Sequence, residues 1–368
     1  MLRTLILLAI LSAFAAVGCG SRPTANPPPR AAATTDTPPS GSASRQTDSV
    51  PTTVPAQPQP AATSPPASAK SPVRDFAARL IESDGQGGWR TSEKAATELE
   101  KLGAEGIAQL WPLLQDSSAD VRRGAAFQLL GQFNPANTDQ VAAMSALLGD
   151  ADRTVRGIGL SAVKQMEPAD QAAAVPRLAK MLDPAREEKA ANRAAIARLI
   201  GSLKQGGAAG LPALIATVTG DSDASVRAAS LMAISQVAAP EQAVALLAKG
   251  LSDKEPSPRI VAAARLRQLG PAAAPASKEL AASLADGEAR VAEAAAEALI
   301  SVGEPAVEAL TGQLASENVA ARKLALACLA KIGPPAKSAV RAIEKCKEDP
   351  DSQVRHLAEA AFRRITGK

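Results

Sequence analysis

The chain is 368 residues long, 46% hydrophobic and 21% charged, yet only 2% aromatic and without a single tyrosine. A body of this length built around one core wants more bulky anchors, so a single globular core is disfavoured. The formal net charge of +4 is no nucleic-acid footprint, because residues 1–72 hold five basic and two acidic residues and the remainder holds 36 basic and 35 acidic,.

At the N-terminus, Arg3 precedes the apolar run Leu5 to Val17, and Gly18-Cys19 follow. A basic start, a hydrophobic stretch and small residues before a cleavage point predict a secretory signal peptide. At 13 residues the run is short for a bilayer, which takes about 20. The ending Ala16-Val17-Gly18-Cys19 resembles a bacterial lipobox, with Ala16 standing where leucine is usual. That resemblance implies lipidation of Cys19, anchoring in a membrane and a place in the bacterial cell envelope. Cleavage by the ordinary signal peptidase after Ala15 and an uncleaved anchor are the alternatives, and export holds under all three. From Gly20 to Lys70 the chain is Pro, Ser, Thr and Ala with hardly any large apolar residue. Nothing there offsets the entropy of ordering, so a disordered tether is predicted. The expected organisation is therefore 1–18 signal peptide, 19–70 tether and 71–368 folded array.

Within the array one pattern recurs. Its start positions are Val121, Val155, Asn192, Val226, Pro258, Val291, Ala321 and Val354, separated by 34, 37, 34, 32, 33, 30 and 33 residues, with a ninth, weaker copy expected near Thr91. A period between 20 and 50 residues means stacked repeats. After Val226 the apolar residues Ala229, Leu231, Met232 and Ile234 follow helical spacing,. Stops such as Gly270-Pro271, Gly303-Glu-Pro305 and Gly333-Pro-Pro335 then close one helix and open the next,. Each copy thus predicts two antiparallel helices of about 12 residues, with no sheet anywhere after Ser71. Alanine-rich stripes such as Val261-Ala-Ala-Ala264 allow close approach around a thin core,.

Two charged columns reinforce the alignment. Directly after the start stand Arg122, Arg156, Arg193, Arg227, Arg259, Ala292, Arg322 and Arg355, and five residues before it stand Asp116, Asp150, Glu187, Asp221, Asp253, Asp286, Ser316 and Asp349. One reading is a structural ladder of exposed pairs, the carboxylate capping its helix and bonding the arginine of its own or the adjacent copy. The other is an anion-binding stripe of arginines.

The string Asp-x-x-Val-Arg-x-x-Ala-x-x-Ala-Leu-x-x-(Ile/Val)-Gly, approximated by Asp223 to Val237 and Asp351 to Ile365, resembles the HEAT repeat, in particular its phycobilisome-lyase variant. Ser230 stands where alanine is usual. The resemblance implies an all-α, right-handed α-solenoid of about nine helix pairs. It also implies a non-catalytic scaffold binding a protein or peptide on the concave face built by the second helices of the repeats. An enzyme or enzyme-associated subunit and a cell-wall spacer are the alternatives. Among HEAT-like families, deoxyhypusine hydroxylase relies on several His-Glu pairs. This sequence has no such dipeptide and one histidine, His356, read as solvent-facing. Lyase action on cytoplasmic or thylakoid-facing pigment proteins does not suit an exported chain. No catalytic, cofactor or metal residues are expected, and no nucleic-acid or small-molecule ligand. Cys328 and Cys346 are open to pairing or to remaining two buried thiols. Trp89 and Trp111 are read as the capping end of the stack, against a binding role.

Overall fold

A computed structural model describes residues 72–83 and 89–368, so the expected signal peptide, Cys19 and tether lie outside the described residues. The chain divides into two units, Met1–Lys70 and Ser71–Lys368. The second opens with α1 (Pro72–Arg79) and an antiparallel hairpin of β1 (Ile81–Ser83) and β2 (Trp89–Thr91), with Ile81 opposite Thr91. Short helices α2 (Glu93–Lys101), α3 (Gly103–Ala108) and α4 (Leu110–Leu113) lead to α5 (Ala119–Leu130). Then follow α6 (Thr138–Ala146), α7 (Arg153–Val163), α8 (Pro168–Lys180), α9 (Ala190–Ser202), α10 (Leu211–Gly220), α11 (Ala224–Val237) and α12 (Pro240–Gly250). The array continues through α13 (Pro256–Leu269), α14 (Ser277–Ala282), α15 (Ala289–Val302), α16 (Val307–Gln313), α17 (Val319–Ile332), α18 (Val340–Cys346) and α19 (Ser352–Thr366). No described helix is long and apolar enough to cross a membrane.

Every odd-numbered helix from α5 to α19 contains one of the repeat start positions, and local chemistry explains where several begin. The Asp223 side chain accepts from the amides of Ser225 and Val226, and Asp152, Asn318 and Asp351 do the same for α7, α17 and α19,. At the far ends of α15 and α17, Gly303 and Gly333 take φ of 78° and 74°, a turn that a side chain would strain,. The second runs α8 and α12 have about the expected length, but α14, α16 and α18 hold only six or seven α-helical residues. Pro271 and Pro275 lie in a 3-10 segment before α14, and Pro334 and Pro335 in another before α18. Proline lacks the amide that an α-turn uses, so the first turns of these runs tighten instead.

Two further expectations are corrected. The hairpin is a sheet after Ser71, a small one in an otherwise helical array. Thr91 ends β2 and starts no repeat. The first member of the long-helix row is α1, with Val73-Arg74 at the repeated position, 48 residues before Val121. The hairpin and α2 to α4 are inserted between them, which hides the period.

Neighbouring long helices pack side by side through most of the array. A Cβ added at Gly124 of α5 would lie 1.8 Å from the Ala77 carbonyl oxygen of α1, and one at Gly201 of α9 would lie 2.7 Å from Ala233 Cα of α11. Only glycine admits such contact, so the axes approach unusually closely there. The core is aliphatic, its largest fully buried side chains being leucines, isoleucines and methionines. It forms two clusters that meet on α11, where Val226, Ala229 and Ile234 face one and Leu231 the other.

Candidate functional site

The charged columns come together as clamps between successive repeats. Arg193 donates from Nε and Nη2 to the two carboxylate oxygens of Asp221, at 2.7 and 2.9 Å. Its Nη1 donates to the carbonyls of Glu187 and Glu188 in its own turn. One fork thus holds its own loop with one nitrogen and the next repeat with the other two. Arg122 with Asp150, Arg227 with Asp253 and Arg259 with Asp286 repeat the arrangement. Arg322 pairs with Asp349 too, but only its Nη2 donates a hydrogen bond and its Nε stays within ion-pair distance alone. Arg74 extends it to α1, donating to both oxygens of Asp116 at 2.8 and 3.0 Å.

The partner is always the acid of the following repeat, which settles the choice left open by the sequence. These acids do not cap the long helices. Each accepts instead from the amide two residues on, as Asp221 does from Asp223 and Asp286 from Glu288. At α7, α11 and α19 the residue that donates this amide, Asp152, Asp223 or Asp351, is itself the helix cap, whereas α5, α13 and α15 have no side-chain cap. Nor are the clamps exposed, as the ladder reading supposed: the Arg193 and Asp221 side chains are 4% and 1% accessible, and Arg227 and Asp253 are 5% and 9%. Burial pushes the Asp221 carboxyl up, but hydrogen bonds from Arg193 and the Asp223 amide outweigh it and hold the group below the usual carboxylate range,. The same balance lowers Asp150, Asp253 and Asp286. For Asp116 and Asp349 the arginine hydrogen bond is the largest influence.

Three positions depart from the pattern. Ala292 has no fork, and the acid it would meet in the next repeat is replaced by Ser316. Both halves of that clamp are missing together, which leaves no charge stranded. Arg355 holds its own turn through Asp349 and Pro350 carbonyls, and no carboxylate pairs with it. Arg156 keeps its bonds to the Asp150 and Ala151 carbonyls, but its Nη2 donates to the Arg186 carbonyl and its Nε has no partner. Glu187 is fully buried, accepts from the Lys189 amide through Oε1, and leaves Oε2 without a partner.

Secondary pairs link the same helices at the surface, Arg123 with Asp152 and Lys323 with Asp351. Sequence reasoning missed these and Arg74, although the Val73-Arg74 dipeptide matches Val121-Arg122. Cys328 and Cys346 are both free and buried, so the disulfide alternative is not taken, and burial pushes the Cys328 thiol up to about 12. His356 is exposed. Trp111 is half-buried against the first core cluster, whereas the Trp89 side chain lies outside the described residues. Among the described residues no group of three or more His, Cys, Asp and Glu is placed to hold a metal ion.

The long helices also carry half-buried apolar residues one turn apart on one face: Phe127 of α5 and Met232 of α11 six places after the repeat start, and Val261 of α13, Leu324 of α17 and Leu357 of α19 three places after it. Small residues, Ala195 and Ala294 among them, fill the line between.

Residues 276–363 match the family model described as HEAT repeats. No curated protein matches the chain. Solved structures similar to it include an engineered protein at 19% identity, covering 80% of this chain and 94% of that one with a TM-score of 0.33. Human deoxyhypusine hydroxylase in complex with glycerol is 21% identical, covering 75% of this chain and all of that one, with a TM-score of 0.29. A karyopherin bound to a SUMO protease is 14% identical over 71% of this chain and 33% of its own, with a TM-score of 0.49.

Proposed function

We propose that the array is a non-catalytic scaffold that binds a protein or peptide along the row of long helices, in place of the second helices that the family resemblance implied. The observation that carries this is the set of half-buried apolar residues from Phe127 to Leu357, found on neighbouring turns of five of the eight long helices. A single such residue needs no explanation, but several along one row offer an extended partner several anchors at once. The charged groups of the clamps are occupied with one another, which argues against an anion-binding stripe and leaves recognition to this line.

The signal peptide and lipobox-like ending support an envelope location, with Cys19 lipidated and residues 19–70 acting as a tether. A fatty-acid label incorporated by the wild type and lost in Cys19→Ala tests the anchor. For the scaffold, a photo-crosslinking residue replaces Met232 on the long-helix row or Glu308 on the short-helix side in intact cells. Discrete protein adducts from Met232 and none from Glu308 are expected. Adducts from Glu308 alone would place the binding surface on the other side.

A further inference from the structure

Four irregularities of the array coincide at one junction, between the repeats that begin at Val155 and Asn192; the first, a longer loop, shows both in the repeat spacing and in the separation of arginine from acid. Their spacing of 37 residues is the longest among the eight regular copies. The acid that should be clamped lies 31 positions after its arginine, against 26 to 28 at Arg122, Arg193, Arg227, Arg259 and Arg322. That acid is the one glutamate among aspartates. Here alone among the described neighbours, the long helices, α7 and α9, do not pack side by side. A cavity of about 590 Å³ opens at the same place between the end of α8 and α10, lined by Ala179, Leu182, Asp183, Ala213 and Thr217.

The unpaired atoms give this junction its meaning. Arg156 Nε and Glu187 Oε2 are a complementary donor and acceptor, both buried and both without a partner. A buried charge left half-satisfied is unfavourable, and Arg74, Arg122, Arg193, Arg227 and Arg259 show the Nε-to-carboxylate geometry that would satisfy it,. Arg322 also lacks a hydrogen bond at Nε but stays in ion-pair contact with Asp349, a contact Arg156 does not make with Glu187. Closing the clamp would draw the 183–189 loop and α9 toward α7. In the structure the lengthened loop is held instead by the Arg156 Nη2 bond to the Arg186 carbonyl and the Arg153–Glu188 pair, so two alternative sets of bonds compete at one joint. Neighbouring interfaces in a stacked array act as separate units, so a change at one alters the course of the whole superhelix without unfolding any repeat.

We infer that the Arg156–Glu187 junction is a two-state hinge of the array, with the open state described above and a closed state in which the clamp forms. In the open state the repeats before Asp183 and those after Lys189 are two arms that can change their mutual angle. In the closed state the row of long helices is continuous. A partner lying across both arms would bind one state better and shift the population toward it.

The test is a distance measurement in the full-length chain, with spin labels carried on unnatural amino acids. One pair, at Thr154 and Ala191, crosses the hinge; the control pair, at Ser225 and Ser257, occupies the equivalent positions across the clamped Arg227–Asp253 junction. Two distance components are expected for the hinge pair and one for the control. The shorter component should fall at least tenfold in Arg156→Ala and in the near-isosteric Glu187→Gln, which guards against a variant that fails to fold. A single component across the hinge would overturn the inference. So would two components that survive both substitutions, because the switch would then lie elsewhere.

Discussion

Arg193 sits among the most buried charged side chains of the array, and it makes the energetics of a clamp accessible. Its Coulombic attraction to Asp221 is offset by the desolvation of both ions, so the pair as a whole adds little over a well-packed apolar replacement. Breaking it is different. Arg193→Ala strands the Asp221 carboxylate, and a loss of roughly 3–5 kcal/mol is expected by urea unfolding. Arg193→Met combined with Asp221→Leu should recover more than half of that. The chain carries its own version of this double replacement in Ala292 and Ser316. By contrast, Arg355→Ala, at a position with no carboxylate partner, should unfold within error of the wild type.

The carboxyls of Asp116, Asp150, Asp221, Asp253, Asp286 and Asp349 all lie below their ordinary range. A carboxyl depressed in the folded state stabilises above its unfolded pKa of about 3.9 and loses that contribution as pH falls through its folded value. Stability should therefore be flat from neutral pH to about 5 and decline progressively below about 4, more steeply than in Arg193→Ala. Unfolding midpoints measured across that range that rise on acidification would contradict the assignment. The columns themselves were legible because only seven arginines and seven acids could align so. Which repeat each arginine serves was not, since an alignment places both partners in every copy and the three-dimensional offset decides.

At the scale of the element, capping and close approach control the helices. Asp223→Ala removes the oxygen that satisfies two amides at the head of α11 and should cost about 1 kcal/mol,. Gly124→Ala is more severe than its size suggests, because the new Cβ meets backbone, not a movable side chain. A loss of about 1–3 kcal/mol is expected, with α1 losing hydrogen-exchange protection before α5 does. The long helices were readable from periodicity alone. The runs at α14 and α18 were read too long because the proline pairs Pro271 and Pro275, and Pro334 and Pro335, favour tight turns over α-helix at their starts. Recognition of α1 failed for another reason: the hairpin between Ile81 and Thr91 lengthened one repeat, and a period cannot be followed across an insertion of that size.

For the whole molecule, stability is a sum of repeat terms and junction terms, with each clamp acting at one junction. The core is thin and aliphatic, so the junctions carry a larger share than in a protein with aromatic anchors. Legible at this scale were the stacked helical architecture and the family resemblance that the match at residues 276–363 supports. The candidate binding line was not, because Phe127, Met232, Val261, Leu324 and Leu357 look like ordinary stripe residues until the packing shows which side of each helix stays half-open. Native-state hydrogen exchange on Arg193→Ala tests most directly that each arginine joins its repeat to the next. Faster exchange confined to α9, α11 and the turns around Glu187 and Asp221 is predicted, with α17 and α19 unchanged. Protection lost evenly along the array, or unaltered at that junction, would contradict it.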